Sequence, residues 1–295
     1  MESSLINPAT TVQAPQFDGI FNECRICSKP DLVPNFSLPS PAGYCLQWSR
    51  CQCCGFTFMN PRITLSEMMR LYTLSDYWEE GYTHYEQSEP IRIANARWYF
   101  ELVSPHISDA GTLLDVGCAT GFFARVAQEK GYSVVGIDSS QRMIDFGKRD
   151  GTLDLRCQTI EDAQFPAGSF DVISLWGTDS HFHDPRATFS KILSWLKPGG
   201  CFLFNYQDYD HWIRAFFPQI KRGWNVYYNF SARSFGLFAE QLGVRILSET
   251  TAVQIFQIHR IARTLQLLRN LPSWIGDRVI KVPTPSYKIV VARKS

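Results

Sequence analysis

The fold is decided by TLLDVGCATG, residues 112–121, read together with Asp138. An apolar strand runs into a glycine turn, and FFARVAQEKG (122–131) continues as an amphipathic helix. A second apolar strand, YSVVGID, ends on Asp138. Strand, tight turn, helix, strand and terminal acid, in that order, bind an adenosine ribose in open α/β sheets. Backbone amides of the turn approach the ligand, and the carboxylate accepts hydrogen bonds from ribose hydroxyls. The pattern predicts a Rossmann-like α/β domain that holds a nucleoside-containing cofactor.

The glycines narrow the choice of nucleoside. A pyrophosphate wants G-x-G-x-x-G, because phosphate must reach the helix N-terminus unobstructed. In Gly117-Cys118-Ala119-Thr120-Gly121-Phe122, bulky Phe122 fills the third glycine's place, which disfavours a dinucleotide. What remains, D-x-G-x-x-x-G with Asp115 at the strand end, resembles the first motif of class I S-adenosylmethionine (SAM)-dependent methyltransferases. In that family the loop wraps the methionine half of the cofactor and the second-strand acid takes the ribose. The resemblance implies cofactor contacts at Asp115, Gly117, Cys118, Ala119, Gly121, Phe122, Asp138, Ser139 and Met143.

The likeness continues in order. Ile160-Glu161-Asp162 follows a third strand, LDLRC, where the family places an acid near the adenine amino group, so Glu161 and Asp162 join the expected contacts. SFDVISLWG reads as the fourth strand, Phe170 to Gly177, bringing Trp176 and Gly177 to the cofactor. DSHFHDP (179–185) is similar to the E-H-x-x-D-P signature of one branch of these enzymes. Leu196 to Gly200 and CFLFN match the turn and fifth strand. Two departures stand out. Ala119 replaces the usual middle glycine, a change tolerated at negative φ. Ser180 replaces the glutamate before His181 and puts the usual local hydrogen bonding in question.

With 295 residues the chain can bury a large core, one main domain plus an appendage. Its 29 basic and 28 acidic residues nearly cancel, which speaks against nucleic acid or an anionic membrane as the partner. No run of eighteen apolar residues is present, so no transmembrane association is expected. MESSLINPATTVQAPQ lacks a positive n-region and an apolar h-region, so a cytoplasmic location is expected. Nine cysteines in a reducing compartment suit metal ligands or buried thiols better than disulfides. The expected organisation is a flexible arm (1–20), a zinc ribbon (21–62), a helical and aromatic lid (63–105) and the SAM-binding domain (106–295), with a helical insertion at 257–281.

Cys24-Arg-Ile-Cys27 and Cys51-Gln-Cys-Cys54-Gly55 give two C-x2-C turns separated by 23 residues. Each turn converges two thiolates, and two turns complete a tetrahedral zinc site. Cys53 could compete with Cys51 or Cys54, and Cys45 is a spare, but only Cys24, Cys27, Cys51 and Cys54 give matched spacings. Four thiolates leave no coordination position for water, so the zinc is expected to be structural. CGFTFMNPR (54–62) resembles the knuckle of zinc-ribbon methyltransferases that act on sugars and other natural-product intermediates.

The lid segment carries many aromatics and a helix from Glu89 to Val103, with Ser88 as cap and Pro90 in its first turn. Most of these rings serve as packing between domains. Tyr82 and Tyr85, in a polar stretch with Gly81, are candidates for cofactor or substrate contact. After the fifth strand, residues 205–231 are again aromatic, with Asn205 and His211 as polar groups worth testing there. Ser231 to Leu242 reads as a helix, and VRILSETTA and SYKIVVARK as two paired edge strands. The 257–281 insertion sets Ile258, Ile261, Ala262, Leu265 and Leu268 opposite His259, Arg260, Arg263 and Arg269, a helix packed on the core with a solvated basic face. A dimer contact and an acceptor phosphate site are its alternatives.

The chemistry implied is in-line displacement at a sulfonium methyl, where positioning supplies on the order of 7–11 kcal/mol. Trp176, Phe182 and the lid tyrosines can stabilise the positive charge. His181 and His183, just after the fourth strand, are the candidate bases, with Asp179 competing; Asp184-Pro185 reads as a helix cap. The expected activity is methyl transfer to a small-molecule acceptor. The alternatives are SAM-consuming cyclisation or aminocarboxypropyl transfer, RNA methylation with the ribbon as RNA binder, and a non-catalytic zinc- and SAM-binding module.

Overall fold

The computed structural model describes residues 14–75, 88–216, 223–258 and 279–294. Tyr82, Tyr85 and the insertion residues His259, Arg260, Arg263 and Arg269 lie outside them, so the expectations placed on them have no structural counterpart.

The chain begins with β1 (Phe17–Gly19), which pairs antiparallel with β5 (Arg62–Ile63). That pairing makes Phe17–Gly19 strand, inside the span 1–20 expected to be a flexible arm. Between them, β2 (Leu32–Pro39), β3 (Cys45–Cys51) and β4 (Thr57–Met59) form an antiparallel sheet. Helix α1 (Leu65–Leu74) is started by Thr64, whose hydroxyl accepts from the Glu67 amide.

Helix α2 (Glu89–Val103) carries Pro90 in its first turn. Ser88 occupies its N-cap without capping it; its hydroxyl accepts instead from Arg92 Nε at 2.9 Å. Alternation of strand and helix follows: β6 (Gly111–Val116), α3 (Phe122–Glu129), β7 (Tyr132–Asp138), α4 (Gln141–Gly147), β8 (Asp154–Cys157), β9 (Phe170–Leu175), α5 (Pro185–Trp195) and β10 (Leu196–Gln207). Asp184 caps α5 by accepting from the Ala187 amide, with Pro185 at the first position. The last elements are α6 (Ile213–Phe216), β11 (Tyr228–Asn229), α7 (Ala232–Gln241), β12 (Val244–Gln257) and β13 (Val279–Lys294).

Seven strands form the main sheet in the order β12-β13-β10-β9-β6-β7-β8. The five strands from β10 to β8 are parallel, and β13 and β12 add antiparallel. Strand order reverses between β6 and β9, and a ligand crevice opens at such a point, beyond the carboxyl ends of the strands. Successive residues face opposite layers. Leu113, Val172 and Leu203 pack with Ala96, Phe100 and Phe123, whereas Leu114, Ile173, Phe202 and Phe204 pack with Phe189 and Phe238.

Two features of the assembly exceed the sequence pattern. The hairpin β12–β13 runs on to the Gln257–Val279 pair, so both ends of the expected insertion are strand. Asn95 of α2 holds the extension, accepting from the Ile255 amide at 2.8 Å and donating to its carbonyl at 3.1 Å. The N-terminal module is also not self-contained. Its β4 pairs with β11, contributed from beyond β10, and Trp48, Phe56 and Phe58 share one core with Phe204, Phe230 and Phe238. Among the described residues no helix is long and apolar enough to cross a membrane.

Candidate active site

The turn after β6 is shaped by close approach. Gly117 has φ of +69°, and a Cβ there would run into the Thr178 side chain. Its amide and that of Cys118 bond the Ile137 carbonyl at 2.8 and 3.0 Å, tying the turn to β7. Ala119 takes φ of +48°, so the condition under which alanine replaces the glycine without strain is not met. Its amide donates to Asp138 Oδ2 at 2.9 Å, and that bond fixes the turn in a conformation alanine rarely adopts. Asp138 Oδ1 accepts from the Ser140 amide at 2.9 Å. Burial raises the Asp138 carboxyl above its ordinary range, and the two amides oppose the rise.

Two cavities meet at this turn. The first, about 290 Å³, is lined by Asp138, Ser139, Met143, Glu161, Thr178 and His181, with Leu65, Met68, Met69 and Tyr72 of α1 as its opposite wall. The second, about 380 Å³, is lined by Asp115, Cys118, Phe122, Arg92, Tyr99, Asn205, Gln254 and Tyr287. Gly117, Ala119, Trp176 and Gly177 border both. Asp115 is buried and accepts from Ser174 Oγ at 2.7 Å; burial pushes its carboxyl up to about 7. Asn205 Oδ1 accepts from the Gly177 amide at 2.6 Å and fixes the end of β9.

The three candidate bases part company. His181 lines the first cavity; its Nδ1 lies 3.0 Å from the Asn225 carbonyl and 3.2 Å from Tyr72 Oη. A carbonyl only accepts, so Nδ1 carries the hydrogen and Nε2 keeps a lone pair. Burial lowers the His181 pKa, so the ring is neutral near pH 7. His183 turns away to Asp18 of the N-terminal module, Nε2 to Oδ2 at 2.6 Å, and stacks edge-on to Tyr227. Asp179 is buried beside β11 and lines neither cavity; its backbone carbonyl accepts from Tyr228 Oη and its carboxyl is pushed up to about 7 by burial. The sequence could not separate these three, since alternate residues of one short turn face different neighbours.

Besides Asp115, four further expected contacts lie off the first cavity. Asp162 turns back to Thr159 Oγ1 at 2.7 Å, leaving Glu161 at the cavity. Gly121 packs under Leu155, and Phe122 with Cys118 borders the second cavity. Arg92, Gln254 and Tyr287 escaped the sequence reading because nothing marks an arginine in a helix or a polar residue in an edge strand. The α1 wall did leave a signal, since Leu65, Met68, Met69 and Tyr72 follow i, i+3, i+4, i+7 spacing, but the same stripe describes an ordinary core helix. His211 contacts the Ile213 amide and Trp212, away from both cavities.

In the N-terminal module the sulfur atoms of Cys24, Cys27, Cys51 and Cys54 all lie within 4.8 Å of one another. Sγ pairs Cys24–Cys54 and Cys27–Cys51 stand at 3.5 Å, close to the ~3.8 Å edge of a tetrahedron built on 2.3 Å zinc–sulfur bonds. Cys24 is held down to about 5 by the hydrogen bond from Cys54, a thiolate that suits a metal. Cys45 is exposed and Cys53 half-buried, and both lie outside the cluster.

Residues 82–249 match the model of a family described as a methyltransferase domain. The chain belongs to the methyltransferase-domain family. It is an S-adenosylmethionine-dependent methyltransferase. It is 27% identical over 175 residues to a ubiquinone biosynthesis O-methyltransferase of Coxiella burnetii, covering 55% of this chain and 72% of that one. It is 29% identical over 161 residues to phosphoethanolamine N-methyltransferase 3 of Arabidopsis thaliana, covering 50% and 31%. Among solved structures, a putative methyltransferase of Bacillus halodurans shares the fold with a TM-score of 0.52 at 14% identity, over 68% of this chain and 99% of that one. The 1,6-didemethyltoxoflavin-N1-methyltransferase of Burkholderia thailandensis, solved with its substrate and S-adenosylhomocysteine, gives 0.51 at 15%, over 78% and 88%.

Proposed function

We propose that this methyltransferase acts on a small-molecule acceptor, with the cofactor's adenosine in the first cavity and its amino-acid tail in the second. One observation carries this: two cavities that meet only at Gly117, Ala119, Trp176 and Gly177 are equipped for opposite ends of one molecule. Asp138 spends two acceptor sites on amides and retains others for ribose hydroxyls. Ser139, Met143 and Glu161 line the same cavity and would hold the adenine. In the second cavity Arg92 and Asp115 are the charged lining residues, a cation for the tail's carboxylate and an acid for its ammonium.

Bound SAM supplies a sulfonium methyl open to in-line attack. Trp176, at the seam, stabilises its charge by roughly 0.5–2 kcal/mol. His181 Nε2 takes the acceptor's proton as general base, leaving Asp179 and His183 to hold the turn. The relatives' names, and a net charge of +1, favour a small acceptor over RNA. Cys24, Cys27, Cys51 and Cys54 would hold zinc through four thiolates, a ligand set that leaves no position for water and gives the metal a structural role.

The test is product analysis with methyl-labelled SAM and a macromolecule-free metabolite extract. Acceptor-dependent S-adenosylhomocysteine is expected. Methylthioadenosine formed from SAM alone, or label incorporated only into added RNA, would sink the proposal.

A further inference from the structure

The segment Asn225–Asn229 is a strap between the four-cysteine module and the turn that carries His181. On the module side the Met59 amide donates to the Tyr227 carbonyl at 2.7 Å, Trp48 Nε1 donates to the Val226 carbonyl at 3.1 Å, and β11 pairs with β4. On the other side the Tyr227 amide donates to the Ser180 carbonyl at 2.8 Å, Tyr228 Oη donates to the Asp179 carbonyl, and the Asn225 carbonyl meets His181 Nδ1 at 3.0 Å. Tyr72 closes the arrangement from α1. Its hydroxyl lies 3.2 Å from His181 Nδ1 and accepts from Asn225 Nδ2 at 3.3 Å.

We infer that Tyr72 and the Asn225–Asn229 strap are positioning elements for His181, and that the N-terminal module acts in methyl transfer by fixing the tautomer of that ring. The inference rests on the reading of His181 as base. Two oxygens converge on Nδ1, and a ring held by both presents Nε2 as its remaining nitrogen in the cavity that also holds Thr178 and Gly177. A base delivered by an isolated loop would exchange tautomers and orientations, and only one of those forms can accept a proton from the acceptor. Neither Tyr72 nor the strap needs to touch the acceptor for this role.

The titratable groups packed around His181 are Tyr72 from α1, Asp179 on its own turn, and Tyr227 and Tyr228 from the strap; Asp138 and Glu161 line the same cavity. Of these, Tyr72 alone lies within hydrogen-bonding distance of the imidazole in the described residues. Losing one acceptor from Nδ1–H disfavours the imidazolium, so removing the Tyr72 hydroxyl should lower the His181 pKa further in the direction that burial already moves it.

Histidine-selective nitrogen NMR of the metal-loaded protein with S-adenosylhomocysteine measures tautomer and titration directly. The intact protein should show His181 wholly as the Nδ1–H form. Tyr72→Phe should shift the titration to lower pH, and Trp48→Phe, which loosens the strap without emptying its packing site, should add a visible fraction of the Nε2–H form. An unchanged His181 signal in both folded variants overturns the inference. Undiminished S-adenosylhomocysteine formation by His181→Ala in the metabolite extract would instead overturn the reading of His181 as base, and would leave the tautomer result standing.

Discussion

Asp138 Oδ2 and the Ala119 amide, 2.9 Å apart, join the acid at the end of β7 to the turn that follows β6. In the proposed function the acid therefore does two jobs. Replacing it with alanine removes ribose hydrogen bonds and frees a turn whose φ of +48° is held by that same bond. Calorimetry on Asp138→Ala should show SAM binding weakened roughly 10–100-fold, the equivalent of one or two hydrogen bonds to a charged group. An unchanged affinity would remove Asp138 from the site.

Arg92 provides the complementary test, because it faces the second cavity alone. Arg92→Gln should weaken SAM and S-adenosylhomocysteine about 10-fold while leaving methylthioadenosine, which lacks the amino-acid tail, unaffected. Asp138→Ala should weaken all three. Equal losses for Arg92→Gln across the three ligands would show that the tail does not lie there.

Gly117→Ala places a methyl against Thr178 at a backbone angle L-residues avoid. The strain is about 1–3 kcal/mol, so thermal melting should fall by several degrees and SAM affinity with it. Thr178→Ala in the same chain should recover part of the loss. By contrast Ala119→Gly relieves the left-handed strain and should melt no lower than the parent, give or take a degree or two.

Removal of the metal tests the shared core. Cys51→Ala should purify without zinc by elemental analysis and melt far below the parent. Trp48 and Phe56 pack in one cluster with Phe204 and Phe238, so loss should spread from the knuckles into the methyltransferase sheet and appear in SAM binding as well. A zinc-free parent protein, or a Cys51→Ala variant that keeps its melting temperature, would count against a structural metal.

Asp115 and Asp179 predict the pH dependence of the ligand-free protein. Burial raises both carboxyls from an ordinary 3.8 to about 7. Between those values the folded state holds protons that the unfolded chain has released. Stability is therefore fully present below about pH 4 as far as these groups are concerned, and is lost as pH rises to 7, by up to a few kcal/mol. Asp171 runs the other way: burial would raise it, but Lys197 and Thr112 outweigh burial and hold it at about 2, so its contribution is lost on acidification. Melting curves of Asp115→Asn and Asp179→Asn should decline less than the parent between pH 5 and 7.

The sequence by itself determined the sheet, the glycine turn with its strand-end acids and the four-cysteine set. Each is encoded locally: apolar runs of strand length, a glycine turn with an acid at each strand end, and two C-x2-C turns depend on neighbours a few residues away. It also placed α2 at Glu89–Val103 and the Asp184 cap correctly, for the same reason. Only the tertiary structure decided which residue of the Asp179–His183 turn faces the cavity, because a one-residue rotation of a short turn exchanges cavity, core and module as neighbours. The same holds for α1 as a cavity wall, for β11 completing the module's sheet across some 170 residues of chain, and for Arg92 opposite Asp115. Those relationships are set by packing between distant segments, and packing has no local period to read.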